Sequence, residues 1–237
     1  MQLDELWPGG PRFYQTEQVF KLGTDSVLLA HFTNTARIKR AIDLGSGTGV
    51  LSVLLAGKAA NLHMDCVDIL PEAVALTAEN ARLNGLEERI FPQLADIRQL
   101  PNTFLAGAYD LAVSNPPYFQ AGSGKRAAQA AKAHSRDESL CTLDELCAAA
   151  AYLLRWGGRF SLVHRPERLS TLLCTMTRHG IEPKRLRTVA LSQNHPPNLV
   201  LVEGRRGGNP GLEWEAPLLL QHPPGEDSPE IRAIYRR

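Results

Sequence analysis

The sequence predicts an α/β fold: a mostly parallel seven-stranded sheet flanked by helices and ending in an antiparallel hairpin. Three observations carry this. Short apolar runs alternate with longer stretches of helical spacing through the middle of the chain, the pattern of strand–helix–strand units. The last two apolar runs, residues 186–191 and 199–203, are joined only by the turn-rich Asn194-His195-Pro196-Pro197-Asn198, so they pair antiparallel. With 237 residues, 43% hydrophobic and 22% charged, the chain can bury a core without disulfides or a metal.

The elements follow in order. Residues 1–35 mix aromatic residues with glycine and proline, then show a short helical pattern over 25–32. Ala41-Ile42-Asp43-Leu44 is a first buried strand ended by glycines. Val50, Val53 and Leu54 recur at helical spacing within 49–58, and residues 62–68 alternate as a second strand. Pro71 stands where the first turn of a helix tolerates proline. Ala73, Leu76 and Leu83 carry that helix to Asn84-Gly85, a left-handed cap. A third, weaker strand spans 90–94, and a fourth, 109–113, is cut off by Asn115-Pro116-Pro117. A long apolar-faced helix is expected over 140–156, stopped by Gly157-Gly158, then a fifth strand over 159–163 and a helix over 167–178. The chain thus divides into an N-terminal cover (1–35), a sheet domain (36–204) and a surface-wrapping tail rich in proline and glycine (205–237).

Composition excludes several classes. The formal charge is +1, so no basic coat for nucleic acid exists in bulk. Local clusters remain: Lys125/Arg126/Lys132/Arg136 in and beside a polar, alanine-rich loop, Lys184/Arg185/Arg187, and Arg205/Arg206. Such clusters can neutralise phosphates while the whole chain stays near neutral. The four cysteines form no C-x-x-C pair and are expected as small buried hydrophobes in a reducing compartment. The start carries neither an apolar run nor a basic segment, and no run approaches 18 apolar residues. A cytoplasmic protein without a signal peptide or membrane span is expected.

The strongest local signal is Asp43-Leu44-Gly45-Ser46-Gly47-Thr48-Gly49, which ends a strand and opens a helix. Glycines let the backbone turn tightly beside a ligand, and the helix start offers unpaired N–H groups. A phosphate loop would finish Gly-Lys-Ser/Thr, but Val50 and Leu51 stand there; a dinucleotide loop would need glycine where Val50 is. G-x-G-x-G behind an acid is the spacing that S-adenosylmethionine sites use. Asp68, 25 residues beyond Asp43 at the end of the second strand, can accept hydrogen bonds from both ribose hydroxyls. Asp96, after the third strand, can accept from the adenine amino group. Either acid could equally be a helix N-cap.

Asn115-Pro116-Pro117-Tyr118 closes the fourth strand, at its carboxyl end, where open α/β sheets place their ligands. An aromatic or amide NH2 is a poor nucleophile because its lone pair is delocalised. Accepting both its hydrogens, on the Asn115 side-chain oxygen and the Pro116 carbonyl, favours a pyramidal nitrogen with a localised lone pair. Consecutive prolines hold that carbonyl rigidly, and Tyr118 can stack on a planar substrate. No metal and no general base are required, because a sulfonium is a strong leaving group.

These motifs resemble the amino-methylating S-adenosylmethionine-dependent methyltransferases and, more narrowly, the bacterial tRNA(Val) adenine-N6-methyltransferases. Gly23-Thr24-Asp25-Ser26-Val27-Leu28-Leu29-Ala30, Val163-His164-Arg165-Pro166-Glu167-Arg168-Leu169 and Leu199-Val200-Leu201-Val202-Glu203-Gly204 are similar to further motifs of that family. The tail departs from the family pattern around Glu230, as does the glycine- and proline-rich start, Trp7-Pro8-Gly9-Gly10-Pro11. The resemblance implies a Rossmann-like class I methyltransferase fold with S-adenosyl-L-methionine as cofactor. It implies an RNA substrate, a tRNA anticodon-loop adenine methylated on N6. The expected cofactor-binding set is Asp25, Asp43, Gly45, Ser46, Gly47, Gly49, Asp68, Ile69, Asp96, Ile97 and Asn115. The expected catalytic set is Asn115, Pro116, Pro117 and Tyr118, with no metal.

Other readings compete. Methylation of a protein glutamine would use the same tetrapeptide, but such enzymes carry a helical domain before the loop, and only 42 residues precede Asp43. Methylation of an rRNA amino group is an alternative of the same class; for methylation of DNA adenine, no segment is large enough to be a separate target-reading domain. A non-catalytic RNA-binding module with this fold would have no need of an intact Asn115-Pro116-Pro117-Tyr118.

Overall fold

The computed structural model describes residues 2–15, 23–116 and 141–237. The chain opens with a hairpin, β1 (Gln2–Glu5) against β2 (Arg12–Gln15), followed by helix α1 (Thr24–Phe32). Then come β3 (Arg40–Leu44), α2 (Val50–Lys58), β4 (His63–Asp68), α3 (Pro71–Leu83), β5 (Ile90–Leu94), a 3-10 turn (Ile97–Asn102) and β6 (Tyr109–Ser114). Beyond the undescribed residues stand α4 (Leu143–Leu153), β7 (Leu154–His164), α5 (Leu169–Arg178), β8 (Ile181–Ala190) and β9 (Pro197–Arg206). The tail adds β10 (Glu213–Trp214), β11 (Leu218–Leu219) and α6 (Pro229–Tyr235). No helix among the described residues is long and apolar enough to cross a membrane.

The sheet runs β10-β8-β9-β7-β6-β3-β4-β5, with β11 also beside β8. Strands β5, β4, β3, β6 and β7 are mutually parallel, whereas β9 lies antiparallel between β7 and β8. The predicted seven strands are all present, and the tail predicted only to wrap the surface adds two more of two residues each. Strand residues alternate between the two faces, as the pleat demands. Ala41, Leu111 and Val113 join a core with α1, α2 and the tail helix. Ile42, Leu44 and Ala112 join a second core with α4 and α5. Pro92 is tolerated in β5 because that strand is the sheet edge and pairs only with β4.

Two elements differ from expectation. The helix predicted over 140–156 ends at Leu153, and Leu154 already pairs with Tyr109 in β6. The next pair is Leu111 with Arg159, so three extra residues bulge out of β7, with Gly157 at φ 78°. Gly157-Gly158 serves this bulge and does not cap a helix. Strand β8 begins five residues earlier than predicted, because a register shift between Pro183 and Arg185 accommodates the proline. The N-terminal hairpin is held against α3 by two buried or half-buried amides one helical turn apart. Asn80 exchanges bonds with the Tyr14 backbone (2.7 and 3.1 Å), and Asn84 with that of Arg12 (3.0 and 2.7 Å).

Candidate active site

Strand registers place the singled-out motifs side by side at the carboxyl ends of the parallel strands. Asp43 is opposite Val113 and Leu44 is opposite Val67, so Gly45 leaves a strand end flanked by the two strands that lead to Asn115 and to Asp68. Asp68 is opposite Leu94, two residues before Asp96, and Ser114 is opposite Leu162, two residues before His164. The Ser114 hydroxyl donates to the Leu44 carbonyl at 2.7 Å, tying the Asn-Pro turn to the root of the glycine loop.

The loop uses its glycines. Gly45, Gly47 and Gly49 have φ of 79°, 55° and 75°, a region that side chains other than glycine's enter at a cost. At Gly45 and Gly47 an added Cβ would meet nothing within 4 Å, so open space adjoins the loop on that side. At Gly49 a Cβ would sit 2.8 Å from Thr77 Cγ2, and that position needs glycine for packing as well. The loop is braced from α3: the Thr77 hydroxyl donates to Gly47 O (3.0 Å) and Asn80 Nδ2 to Thr48 O (2.8 Å).

Asp68 accepts from the Gly47 N–H through Oδ2 (2.9 Å) and from the Leu70 N–H through Oδ1 (3.0 Å). A carboxylate oxygen takes more than one donor, so both retain acceptor capacity toward the open space. Beside it Ile69 is half exposed, and Ile97 is partly buried against the second core, two apolar surfaces flanking the edge. Asp96 caps the 3-10 turn by accepting from Arg98 N (2.9 Å), while the Arg98 guanidinium grips both of its oxygens (2.6–3.0 Å). That pairing holds the Asp96 carboxyl below the usual carboxylate range. Asp25 lies in the first turn of α1, half-buried.

Asp43 is different: it is buried, 1% exposed, and accepts from the Ser52 hydroxyl at 2.7 Å, while its Oδ1 has no partner among the described residues. Ser46 Oγ is likewise buried without one. Two orphaned polar atoms at the root of a glycine loop suit a polar ligand and not an apolar one. Burial raises the Asp43 carboxyl from 3.8 to about 7. An acid raised in the folded state holds more protons folded than unfolded between those values, so its contribution turns against folding as pH climbs from about 4 to 7. The charge costs up to roughly 4 kcal/mol above that window, part of which the unpaired N–H of an amide replacement would cancel. Asp43→Asn should therefore raise the Tm of the ligand-free protein at pH 8, with the gain shrinking toward pH 5. A difference independent of pH would contradict a buried charge.

Asn115 and Pro116 are half-buried at the end of β6; Pro117 and Tyr118 lie outside the described residues. The Asn115 amide nitrogen donates to Ser26 Oγ on α1 at 2.9 Å, which turns the carbonyl end of that amide, Oδ1, the other way. Asn115 is thus shared between the expected catalytic set and a helix that the sequence placed only beside the cofactor.

Of the basic clusters, Lys125/Arg126/Lys132/Arg136 lies outside the described residues. The cluster at 184–187 is spent internally: Arg185 pairs with Glu215 (2.7 Å) and Glu203 (3.5 Å), and Arg187 forks onto Glu230 (2.6 and 2.7 Å). Arg205 and Arg206 end a strand antiparallel to β7, so they sit at the edge opposite the glycine loop. Arg165, which the sequence placed in a family-like motif but not at the site, donates through its guanidinium to Asn198 O (3.0 Å) at the same strand ends as Asn115. Beside it in the same motif, His164 is buried, and burial holds its imidazole below the ordinary histidine range. Cys66 and Cys147 are buried as expected, but Cys174 is exposed on α5.

Residues 16–174 match the family model described as Methyltransferase small domain. The chain is 34% identical to the tRNA1(Val) (adenine(37)-N6)-methyltransferase of Tolumonas auensis, over 93% of this chain and 90% of that protein. It is 31% identical to the protein of the same name from Aeromonas hydrophila, over 80% and 78%. Among solved structures, a predicted O-methyltransferase from Agrobacterium tumefaciens superposes with a TM-score of 0.74 at 16% identity, over 90% of this chain and 96% of that one. A geranyl diphosphate C-methyltransferase from Streptomyces coelicolor, in complex with S-adenosyl-L-homocysteine, reaches 0.51 at 13% identity, over 71% and 72%. At those identities the likeness shows the fold, a class I methyltransferase sheet.

Proposed function

Because the chain belongs to the tRNA1(Val) (adenine(37)-N6)-methyltransferase family, we infer that its sheet edge transfers the methyl group of S-adenosyl-L-methionine to N6 of adenine 37 in that tRNA. The enzyme is an S-adenosylmethionine-dependent RNA methyltransferase. The observation that carries the site assignment is the adjacency of Gly45, Asp68 and Asn115 on three neighbouring strand ends.

In this reading Gly45, Ser46, Gly47 and Gly49 present backbone to the cofactor at close range, with the buried Asp43 at the root of the loop, and Asp25 on α1 completes the set that the family resemblance implies. The Asp68 carboxylate takes the ribose hydroxyls while keeping its bonds to the loop. Ile69 and Ile97 flank the adenine ring, and Asp96, aimed by Arg98, takes the ring's amino group. When bound, the cofactor supplies a methyl group on a sulfonium, whose departure is easy enough that no base must act first. Asn115 Oδ1 and the Pro116 carbonyl accept hydrogen bonds from the two N6–H groups, drawing the nitrogen lone pair out of conjugation and toward the methyl group; once the N–C bond has formed and the S–C bond has broken, the nitrogen gives up one of its protons to water. Pro117 holds that carbonyl and Tyr118 stacks on the extruded adenine. Residues 36–204 form the methyltransferase domain, 1–35 its cover and 205–237 its wrap, and the enzyme works in the cytoplasm, where its tRNA is.

Incubation with radiolabelled S-adenosylmethionine and a mixture of total tRNA, rRNA and protein, followed by digestion, tests the substrate class. Label should emerge as N6-methyladenosine from tRNA. Label recovered as methylglutamine would replace this reading with protein methylation.

A further inference from the structure

An asparagine amide has an accepting end and a donating end of nearly the same shape. Only one orientation of Asn115 suits a substrate NH2: with the amide reversed, its own N–H groups would face the N6 hydrogens, donor against donor. In the structure the nitrogen end is occupied by Ser26 Oγ at 2.9 Å, contributed by a helix 89 residues upstream. We propose that Ser26 is a positioning residue for methyl transfer: by accepting from Asn115 Nδ2 it fixes the amide so that Oδ1 faces the target nitrogen. This inference rests on Asn115 being the acceptor of the reaction.

For Ser26 to aim another side chain, its own helix must be held, and α1 is fixed at its last turn and along its apolar face. At the last turn Lys58 Nζ donates to the carbonyls of Ala30 (3.1 Å), His31 (3.3 Å) and Thr33 (2.9 Å), groups that a helix end leaves unpaired. Along its apolar face Val27, Leu28 and Ala30 share one core with Ile231 and Ile234 of α6. His31 meets Glu230 of α6 at 3.5 Å, and Glu230 is forked by Arg187 of β8. The tail helix is thereby linked to the sheet on one side and to α1 on the other. The C-terminal segment, remote in sequence from every motif, braces the helix that aims Asn115.

The test is steady-state kinetics with tRNA, together with calorimetric cofactor binding, on Ser26→Ala and Ser26→Thr. Loss of one such bond should lower kcat of Ser26→Ala about tenfold, with cofactor Kd and tRNA KM within about twofold of the parent protein. Ser26→Thr, which keeps the hydroxyl, should retain most of the activity. In an Asn115→Ala background, adding Ser26→Ala should cost nothing further in single-turnover rate. An unchanged kcat in Ser26→Ala, an equal fall in the threonine variant, or a fall carried by cofactor Kd would each overturn the positioning role. Full activity of Asn115→Ala alone would overturn the underlying assignment instead.

Discussion

Asn115→Ala should lower kcat for tRNA methylation by about a hundred- to a thousandfold, the cost seen when one preorganised polar partner of a transition state is removed. The substitution deletes the side-chain acceptor but leaves the Pro116 carbonyl, so a residual rate above background is expected. Cofactor affinity should fall far less than turnover, although Asn115 also stands in the expected cofactor-binding set, because Gly47, Thr48, Asp68 and their braces on α3 do not touch Asn115 in the bonds that shape the loop. Loop geometry is also kept at its root, since Ser114 and not Asn115 bonds to Leu44. Equal losses in turnover and in cofactor affinity would remove Asn115 from the chemistry and make it a binding residue.

Asp68→Ala should act on the other half of the site. It removes the ribose acceptor and strands two backbone donors, Gly47 N–H and Leu70 N–H, that the carboxylate now satisfies. Each lost bond is worth about 1 kcal/mol, and a stranded donor costs more where water is excluded. Cofactor Kd by calorimetry should rise on the order of thirty- to several-hundredfold, with a lower Tm because the loop loses its anchor. Asp68→Asn retains one accepting oxygen and should fall in between. Unchanged cofactor affinity in Asp68→Ala would refute the ribose role and leave Asp68 as a structural cap of the loop.

The parallel core was legible because its strands are buried on both faces and read as uninterrupted apolar runs such as Ala41-Ile42 and Leu111-Ala112-Val113. The glycine loop was legible because it needs its residue type locally, positive φ at three glycines, and the end of the fourth strand because Asn115-Pro116 follows it directly. What escaped depends on partners distant in sequence. The first hairpin has strands of four residues, too short for a period to show, and owes its place to Asn80 and Asn84 on α3. Strands β10 and β11 are two residues long and exist only as additions to β8. Gly157-Gly158 looks like a helix stop in sequence and is a bulge because Leu154 pairs with Tyr109. The basic cluster at 184–187 looked available for phosphate because its partners, Glu203, Glu215 and Glu230, lie on other strands and on the tail helix. Ser26 sat in a stretch singled out for resemblance, but nothing in its neighbourhood announced a bond to Asn115.

The central claim is that this sheet edge methylates N6 of one anticodon-loop adenine. The direct measurement is methyl incorporation from S-adenosylmethionine into unmodified tRNA1(Val) transcript, beside the same transcript carrying guanine at position 37. The adenine transcript should take up close to one methyl group per molecule, recovered as N6-methyladenosine, and the guanine transcript none. Equal incorporation into both, or label on a ring position other than N6, would contradict the account.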